Sequence, residues 1–142
     1  MVNDITMLNF ILQNAEMGRT GITHILPHAK DDRMQQVLNN QLMEYDKIYI
    51  SSMDMLNKRH EQPEHINPMA KISSRIMSTM KTLTDPSASK IAEMMIEGST
   101  MGVTKITKNL NAYDGGDERV RDLANKLLKT EQANIEQMKK LL

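Results

Sequence analysis

The strongest constraint on the fold is a regular apolar pattern near the carboxyl end of the chain, which a carboxylate interrupts. The pattern recurs at alternating steps of four and three residues, as expected for one face of a helix. Its members are Val120, Ala124, Leu127, Glu131, Asn134, Met138 and Leu141, flanked by Leu123, Leu128, Ile135 and Leu142. Because burying an unpaired carboxylate is costly, Glu131 must find a cation, a metal or a proton.

Capping and helix-breaking residues divide the chain into four long helices and one short helix. The predicted helices run from Asn3 or Asp4 to near Pro27, from Asp31 or Asp32 to about His60, over 68–83, from Pro86 to about 112, and from Asp117 onward. Asn67 before Pro68 and Asp85 before Pro86 place a capping side chain ahead of a proline, which is a helix-start signal. No strand pattern is visible, so the sequence predicts an all-α domain.

Each of the other long helices also carries one apolar stripe. The stripes are Leu8, Leu12, Ala15, Ile22 and Leu26 in the first helix, Met34, Val37, Leu38, Ile48 and Met55 in the second, and Ile91, Met94, Met95, Met101, Ile106 and Leu110 in the third. A helix with one apolar face must bury it against other helices. The stripes therefore predict a helical bundle with a shared core.

Composition bounds the kind of protein. At 142 residues the chain is predicted to form one domain, 1–142. Its 18 basic and 18 acidic residues cancel and aromatic residues are few, which argues against nucleic-acid binding. The absence of cysteine excludes disulfides and thiolate chemistry. Neither a signal peptide nor a long apolar run is visible, so the chain is predicted to be cytoplasmic, with no membrane partner.

The segment between the two halves of the chain decides the predicted topology. Short turns make the first and second helices, and the third and fourth helices, antiparallel hairpins. The short helix 68–83 reaches about 24 Å, which can carry the chain back along most of a long helix. The sequence therefore predicts a four-helix up-down-down-up bundle with a short crossover helix between helices two and three.

Four long helices with this crossover and an inward glutamate on each resemble the ferritin-like superfamily, which includes rubrerythrin and ferritin. In that family a di-iron site takes one glutamate from each of helices one and three, and Glu-x-x-His motifs from helices two and four. The matching positions are Glu16, Glu44, Glu97 and Glu131. Lys47 and Asn134 stand where the ligand histidines would be. The resemblance implies the fold with its di-iron site lost; iron or manganese binding, with His24 as a further ligand, is the alternative.

A second polar residue lies in an apolar stripe. Arg19 continues the four-three rhythm of the first helix, and Gln41 and Tyr45 lie in the seam of the second. Counting from the turns places Arg19 and Gln41 at nearly the same level as Glu131. We therefore expect a buried polar network of Arg19, Gln41, Tyr45 and Glu131, in which the guanidinium neutralises the carboxylate. His60 and His65 are predicted to be solvated loop residues.

Several apolar residues lie off the stripes and indicate a protein interface. Phe10, Met17, Met43 and Ile50 belong to the first two helices and are expected to be exposed in a monomer. Contiguous exposed apolar residues usually mark interaction sites, and two-fold pairing is the commonest way to bury them. The predicted function is a non-enzymatic bundle acting through association, as a homodimer, adaptor or coat-type protein. The alternative is a redox or iron- or manganese-handling bundle.

Overall fold

A computed structural model describes residues 1–65 and 87–142 of the chain, and these ranges are helical with no extended strand. The helices are α1, Asp4–Ile25, which continues into a 3₁₀ turn, Leu26–His28; α2, Asp32–Lys58; α3, Ala88–Ala112; and α4, Glu118–Lys139. The predicted all-α architecture with four long helices is thus confirmed. The predicted short helix 68–83 lies outside the described residues.

Side-chain caps fix where the helices begin. Asn3 accepts a hydrogen bond from the Thr6 backbone N–H at 2.8 Å, and Asp31 accepts one from Met34 at 2.8 Å. Asp117 caps α4 by accepting from the Arg119 backbone N–H at 2.9 Å. Each cap satisfies a donor that has no partner within its helix.

The start of α3 differs from the prediction. The expected cap was Asp85 followed by Pro86, but the helix begins at Ala88 and its cap is Ser87, whose hydroxyl accepts from the Lys90 backbone N–H at 3.3 Å. A serine two residues after the aspartate offers an equally good capping oxygen. The sequence alone did not decide between them.

The apolar stripes of the four helices meet in one core. α1 packs mainly against α2 and α3 mainly against α4, and α4 also contacts α1 and α2. The fully buried large side chains include Leu8, Leu12, Leu38, Ile48, Ile91 and Ile106. One stripe residue departs from the prediction: Met101 is exposed, whereas the neighbouring Ser99 and Gly102 take the buried positions of α3. Polar and small residues therefore face the centre of the bundle at this level.

At one end of the bundle, four helix ends meet in a cluster that we call the end clasp: Asp4, Arg59, Tyr113 and Asp117. The Tyr113 hydroxyl donates to Asp4, and the Arg59 guanidinium pairs with Asp117. The clasp thus joins the starts of α1 and α4 to the ends of α2 and α3.

Backbone contacts and a glycine reinforce the end clasp. The Val2 N–H donates to Ala112 at 3.0 Å, and the Asp114 N–H donates to Val2 at 2.9 Å. A Cβ at Gly115 would lie 2.1 Å from Asp4 Oδ1, so this close approach requires glycine. The first residues of the chain are therefore fixed beside the connection from α3 to α4.

The chain that follows α2 returns along α1. The Glu64 N–H donates to Asn9 Oδ1 at 2.8 Å, and Gln13 Nε2 donates to the Glu64 carbonyl at 2.7 Å. His65 Nδ1 lies 2.6 Å from Glu16 Oε1. Residues 64 and 65 thus contact successive turns of α1. His65 lies exposed in a loop, as predicted, and its contact with Glu16 is an addition to that prediction.

None of the helices in the described ranges has the length and apolarity of a membrane span.

Candidate functional site: a buried polar layer

Glu131 lies inside the bundle, as its position in the α4 seam implies, and only 3% of it is exposed. Its carboxyl group packs against α3 where Gly102 has no side chain. A Cβ at Gly102 would lie 3.0 Å from the Glu131 Cδ atom and 3.1 Å from Oε1. The glycine therefore provides the space in which the carboxyl group sits.

Tyr45 reaches the same level from α2 and is also 3% exposed. Its hydroxyl accepts a hydrogen bond from Asn134 Nδ2 at 3.1 Å. A Cβ at Gly18 would lie 2.6 Å from the Tyr45 Cζ atom, so the tyrosine ring occupies the space left by a glycine of α1. With the buried Ser99 of α3, these side chains form what we call the buried polar layer: Tyr45, Ser99, Glu131 and Asn134.

Among the residues that the structure describes, no cation compensates Glu131 in this layer. Burial raises the pKa of the Glu131 carboxyl to about 7, although hydrogen bonding with the Tyr45 and Ser99 hydroxyls opposes the rise. Glu131 Oε2 has no hydrogen-bond partner among the described residues. Burial and the neighbouring carboxylate raise the pKa of Tyr45 well above its ordinary value, so the phenol stays protonated. Of the three partners that the sequence allowed for Glu131, the layer is suited to a proton.

Gln41 lies one turn before Tyr45 and is 2% exposed. Its Nε2 donates to Gln137 Oε1 at 3.0 Å, which links α2 to α4 beside the layer. Gln41 Oε1 has no partner among the described residues. Gln41 also lines a groove of about 980 Å³ that runs along the surface between α2 and α4.

The expected pairing of Arg19 with Glu131 is absent, and Arg19 lies outside the layer. Its Nε contacts Asp46 Oδ1 at 2.5 Å, its guanidinium lies 4.3 Å from the centre of the Tyr49 ring, and 37% of its side chain is exposed. A long side chain that begins at a stripe position can extend to the surface and keep its charge in water. Asp46 and Tyr49 on α2 provide partners there, and the charge of Arg19 remains solvated.

The four glutamates predicted as weak metal ligands do not form one cluster. Glu16 contacts His65, Glu44 pairs with Lys47 at 3.3 Å, and Glu97 is exposed on α3. Only Glu131 lies in the interior. In residues 1–65 and 87–142, no three histidine, cysteine, aspartate or glutamate side chains are arranged to hold a metal ion. The donor set of the described residues therefore does not fit a di-iron centre.

The four predicted interface residues fall into two groups. Met43 and Ile50 on α2 are 57% and 64% exposed. Phe10 and Met17 on α1 are only half-buried, and Phe10 packs against the edge of the core. The exposed apolar surface among these four residues is therefore mainly that of α2.

Three residues that shape the layer were not identified from the sequence: Ser99, Gly18 and Gly102. A usable signal was present, because a glycine inside a helix destabilises it by about 0.5–1 kcal/mol relative to alanine. Such a glycine can mark a close approach by another group. Gly18 and Gly102 do make room for a polar member of the layer, whereas a Cβ at Gly98, which is also within α3, would meet nothing within 4 Å.

The geometry defines a class of protein: a bundle of four long helices in the described residues, with a buried carboxyl group in its interior. The fold is similar to that of a solved structure, a DUF305 fragment from Deinococcus radiodurans, with a TM-score of 0.77 and 14% sequence identity over 96% of this chain and 93% of that one. At this identity the similarity shows the fold alone. No protein-family model matches the sequence, and no curated protein matches it.

Proposed function

We propose that the protein is a ferritin-like bundle with an up-down-down-up helix order that acts through self-association, not through a di-iron centre. Two contacts support the helix order. The end clasp joins the starts of α1 and α4 to the ends of α2 and α3, so α2 and α3 would run parallel. The chain after α2 also contacts successive turns of α1 as it leaves the clasp, as a crossover requires.

The observation that carries the association proposal is the pair Met43 and Ile50. They are seven residues apart on α2, which places them on one side of the helix, two turns apart. That side is opposite the core positions, such as Leu38, Tyr45 and Ile48. Two large apolar side chains exposed together favour a contact with another protein surface. A second copy of this chain, related by a two-fold axis, presents the same pair in return.

The composition of the buried polar layer supports a role without metal redox chemistry. In ferritin-like proteins with a di-iron site, the interior of the bundle holds carboxylates from all four helices and histidines from helices two and four. Here Tyr45 fills the interior at the level of Glu131, and the described glutamates other than Glu131 lie at the periphery. The hydroxyl and amide groups around Glu131 are ordinary hydrogen-bonding partners of a carboxyl group, and they are not typical iron ligands.

Sedimentation velocity over a range of concentrations tests the proposal. We expect the wild-type protein to be a dimer at micromolar concentration and the double variant Met43→Lys, Ile50→Lys to be a monomer, because lysine charges on both sides of a two-fold contact repel. Leu142→Lys is the control, since it places the same charge at another exposed apolar residue. A monomeric wild type, or a double variant that dimerises as well as the wild type, would contradict self-association.

Metal content is a separate test of the second half of the proposal. We expect protein purified without chelator to contain well under one iron or manganese ion per chain by elemental analysis. Stoichiometric metal that disappears in Glu131→Gln would instead favour the metal-handling alternative.

A further inference from the structure

The middle of α3 is only loosely packed against the core. Between Ala92 and Ile106, the buried positions of this helix are Ser99 and Gly102, and neither carries a large apolar side chain. Three apolar residues of the stretch contact the core but are only partly buried: Met94, Met95 and Ile96. Helical segments with little buried apolar surface open at a lower cost in free energy than the rest of a fold.

The same stretch contains residues that weaken or bend a helix. Gly98 and Gly102 lie inside it, and glycine is a poor helix former. Gly98 makes no close approach that would require glycine, since a Cβ there would meet nothing within 4 Å. The hydroxyls of Thr100 and Thr104 donate to backbone carbonyls one turn earlier, at 2.7 and 3.1 Å. Such bonds often bend a helix, so this part of α3 is suited to bending.

The Glu131 carboxyl group contacts α3 within this weak stretch. A Cβ at Gly102 would lie 3.1 Å from Glu131 Oε1, and the Ser99 hydroxyl hydrogen-bonds with the carboxyl group. Glu131 Oε2 has no partner among the described residues. Helix α1 provides no cation here, because Arg19 pairs with Asp46 at the surface. An ionised Glu131 would therefore need water as its partner.

Helix α2 is held against α4 on the other side of the carboxyl group. Tyr45 accepts a hydrogen bond from Asn134 at 3.1 Å, and Gln41 donates one to Gln137 at 3.0 Å. Tyr45 is also the one titratable group of the described residues that faces Glu131, and it stays protonated. At this level α3 is joined to the layer by one hydroxyl group, so water reaches the carboxylate most easily where α3 is displaced.

We propose that the buried polar layer is a proton-controlled switch: when Glu131 loses its proton, the middle of α3 bends away from α4 and water solvates the carboxylate. The carboxyl end of α3 remains in place, because Tyr113 donates to Asp4 in the end clasp. In the closed state Glu131 keeps its proton and its hydrogen bond with Ser99. This switch does not depend on self-association.

The pH range of the switch follows from the two environments of Glu131. In the closed state burial raises the pKa of the carboxyl group to about 7, and in the open state water restores the ordinary pKa of 4.5. Between these two pH values the open state releases a proton that the closed state retains. The ratio of open to closed molecules therefore rises by up to about tenfold per pH unit, and by roughly 100-fold in all. Above pH 7 both states are ionised, so the ratio levels off.

Amide hydrogen exchange of the wild-type protein, followed by NMR, tests where the opening occurs. Protection factors remove the chemical pH dependence of exchange and report the open fraction. For the amides of residues 99–104 we expect a fall of roughly 100-fold between pH 4 and pH 7.5 that low urea concentrations do not alter. The amides of Leu38 and Ile48 report global unfolding, so their protection should depend on urea. If the amides of residues 99–104 show the same urea dependence as Leu38 and Ile48, α3 does not open locally and the proposal is wrong.

Two glutamate variants test whether Glu131 controls the opening. Glu131→Gln does not ionise, so the amides of residues 99–104 should keep at pH 7.5 the protection that they have at pH 4. Glu97→Gln is the matched control, because Glu97 is an exposed glutamate of α3 itself, and its exchange should follow that of the wild type. An equal loss of protection with pH in Glu131→Gln and in the wild type would overturn the assignment of the switch to Glu131.

Discussion

Two carboxylates, one within α4 and one at its N-cap, lie in opposite environments, the first in the middle of the bundle and the second in the end clasp. Burial without a cation raises the pKa of Glu131 from 4.5 to about 7. Hydrogen bonds from Arg119, together with the Arg59 guanidinium, lower the pKa of Asp117 from 3.8 to about 2. Burial decides the first value, and hydrogen bonds from guanidinium and backbone N–H groups decide the second. One carboxyl group is therefore held as an acid and the other as a charge.

This difference has opposite consequences for stability. A carboxyl whose pKa is raised on folding binds its proton more tightly in the folded state, so stability falls as the pH rises from 4.5 through 7. A carboxyl whose pKa is lowered contributes stability above its unfolded pKa, and that contribution is lost as the pH falls through the folded value. The end clasp should therefore be stable at neutral pH, whereas the buried polar layer is destabilised there.

The largest expected effect is that of Glu131→Gln. Glutamine keeps the shape of the side chain but does not ionise, so the variant should be more stable than the wild type by about 3 kcal/mol above pH 7. The advantage should disappear near pH 4.5. Denaturant unfolding at several pH values measures it.

The exposed Glu97 provides the control for this prediction. Glu97→Gln should leave the free energy of unfolding nearly unchanged at neutral pH, because its carboxylate is exposed on α3. If the stability difference between Glu131→Gln and the wild type is the same at all pH values, Glu131 does not differ from the end clasp in its response to pH.

The next largest effect concerns the space in which Tyr45 lies. A Cβ at Gly18 would be 2.6 Å from the buried ring, so Gly18→Ala should destabilise the fold by about 1–3 kcal/mol through overpacking. Gly98→Ala is the matched control, because a Cβ there meets open space. Alanine is the better helix former, so this variant should be more stable than the wild type by up to about 1 kcal/mol. Thermal unfolding of the two variants should move in opposite directions. If both are stabilised, the ring is not held against α1.

A smaller effect is expected for Tyr45→Phe. It leaves Asn134 Nδ2 without its acceptor and removes a hydroxyl that opposes the rise in the Glu131 pKa, so the fold should lose about 1–2 kcal/mol. The midpoint of the pH dependence should also move upward. Tyr49→Phe keeps the ring beside Arg19 and should leave that midpoint unchanged. If the midpoint is unchanged in Tyr45→Phe, the Tyr45 hydroxyl does not influence the ionisation of Glu131.

The smallest effect is expected in the end clasp. Asp117→Asn keeps a capping oxygen but removes the charge that Arg119 and Arg59 hold, and near-surface ion pairs contribute little. The variant should be slightly less stable at neutral pH, less so in high salt, and equal to the wild type below pH 2. Unfolding at low and high ionic strength checks this. If Asp117→Asn is more stable than the wild type at neutral pH, the charge of Asp117 does not stabilise the fold, and the contrast between Asp117 and Glu131 is wrong.

The sequence predicted the helices and the buried position of Glu131 because both follow from local rules. Caps at Asn3, Asp31 and Asp117 and the four-three rhythm of α4 depend on near neighbours and on helix geometry. The partner of Arg19 could not be predicted in the same way. A helical projection gives the direction of the Cα–Cβ bond, but a long side chain can bend to reach Asp46 at the surface.

The residues that form the buried polar layer could not be predicted from local sequence rules either. Ser99 and Tyr45 meet Glu131 because the helices approach closely at Gly18 and Gly102. Such an approach depends on how four helices pack at once. The two glycines indicated a close contact, but only the assembled bundle shows which side chain enters each space.

The most direct test of the central claim is a ¹³C NMR titration of the Glu131 side-chain carboxyl, assigned by its absence in Glu131→Gln. A buried carboxyl without a cation should titrate with a midpoint near 7. A midpoint at or below the ordinary value of 4.5 would show that a positive charge or solvent reaches Glu131, and it would contradict the account of the buried polar layer.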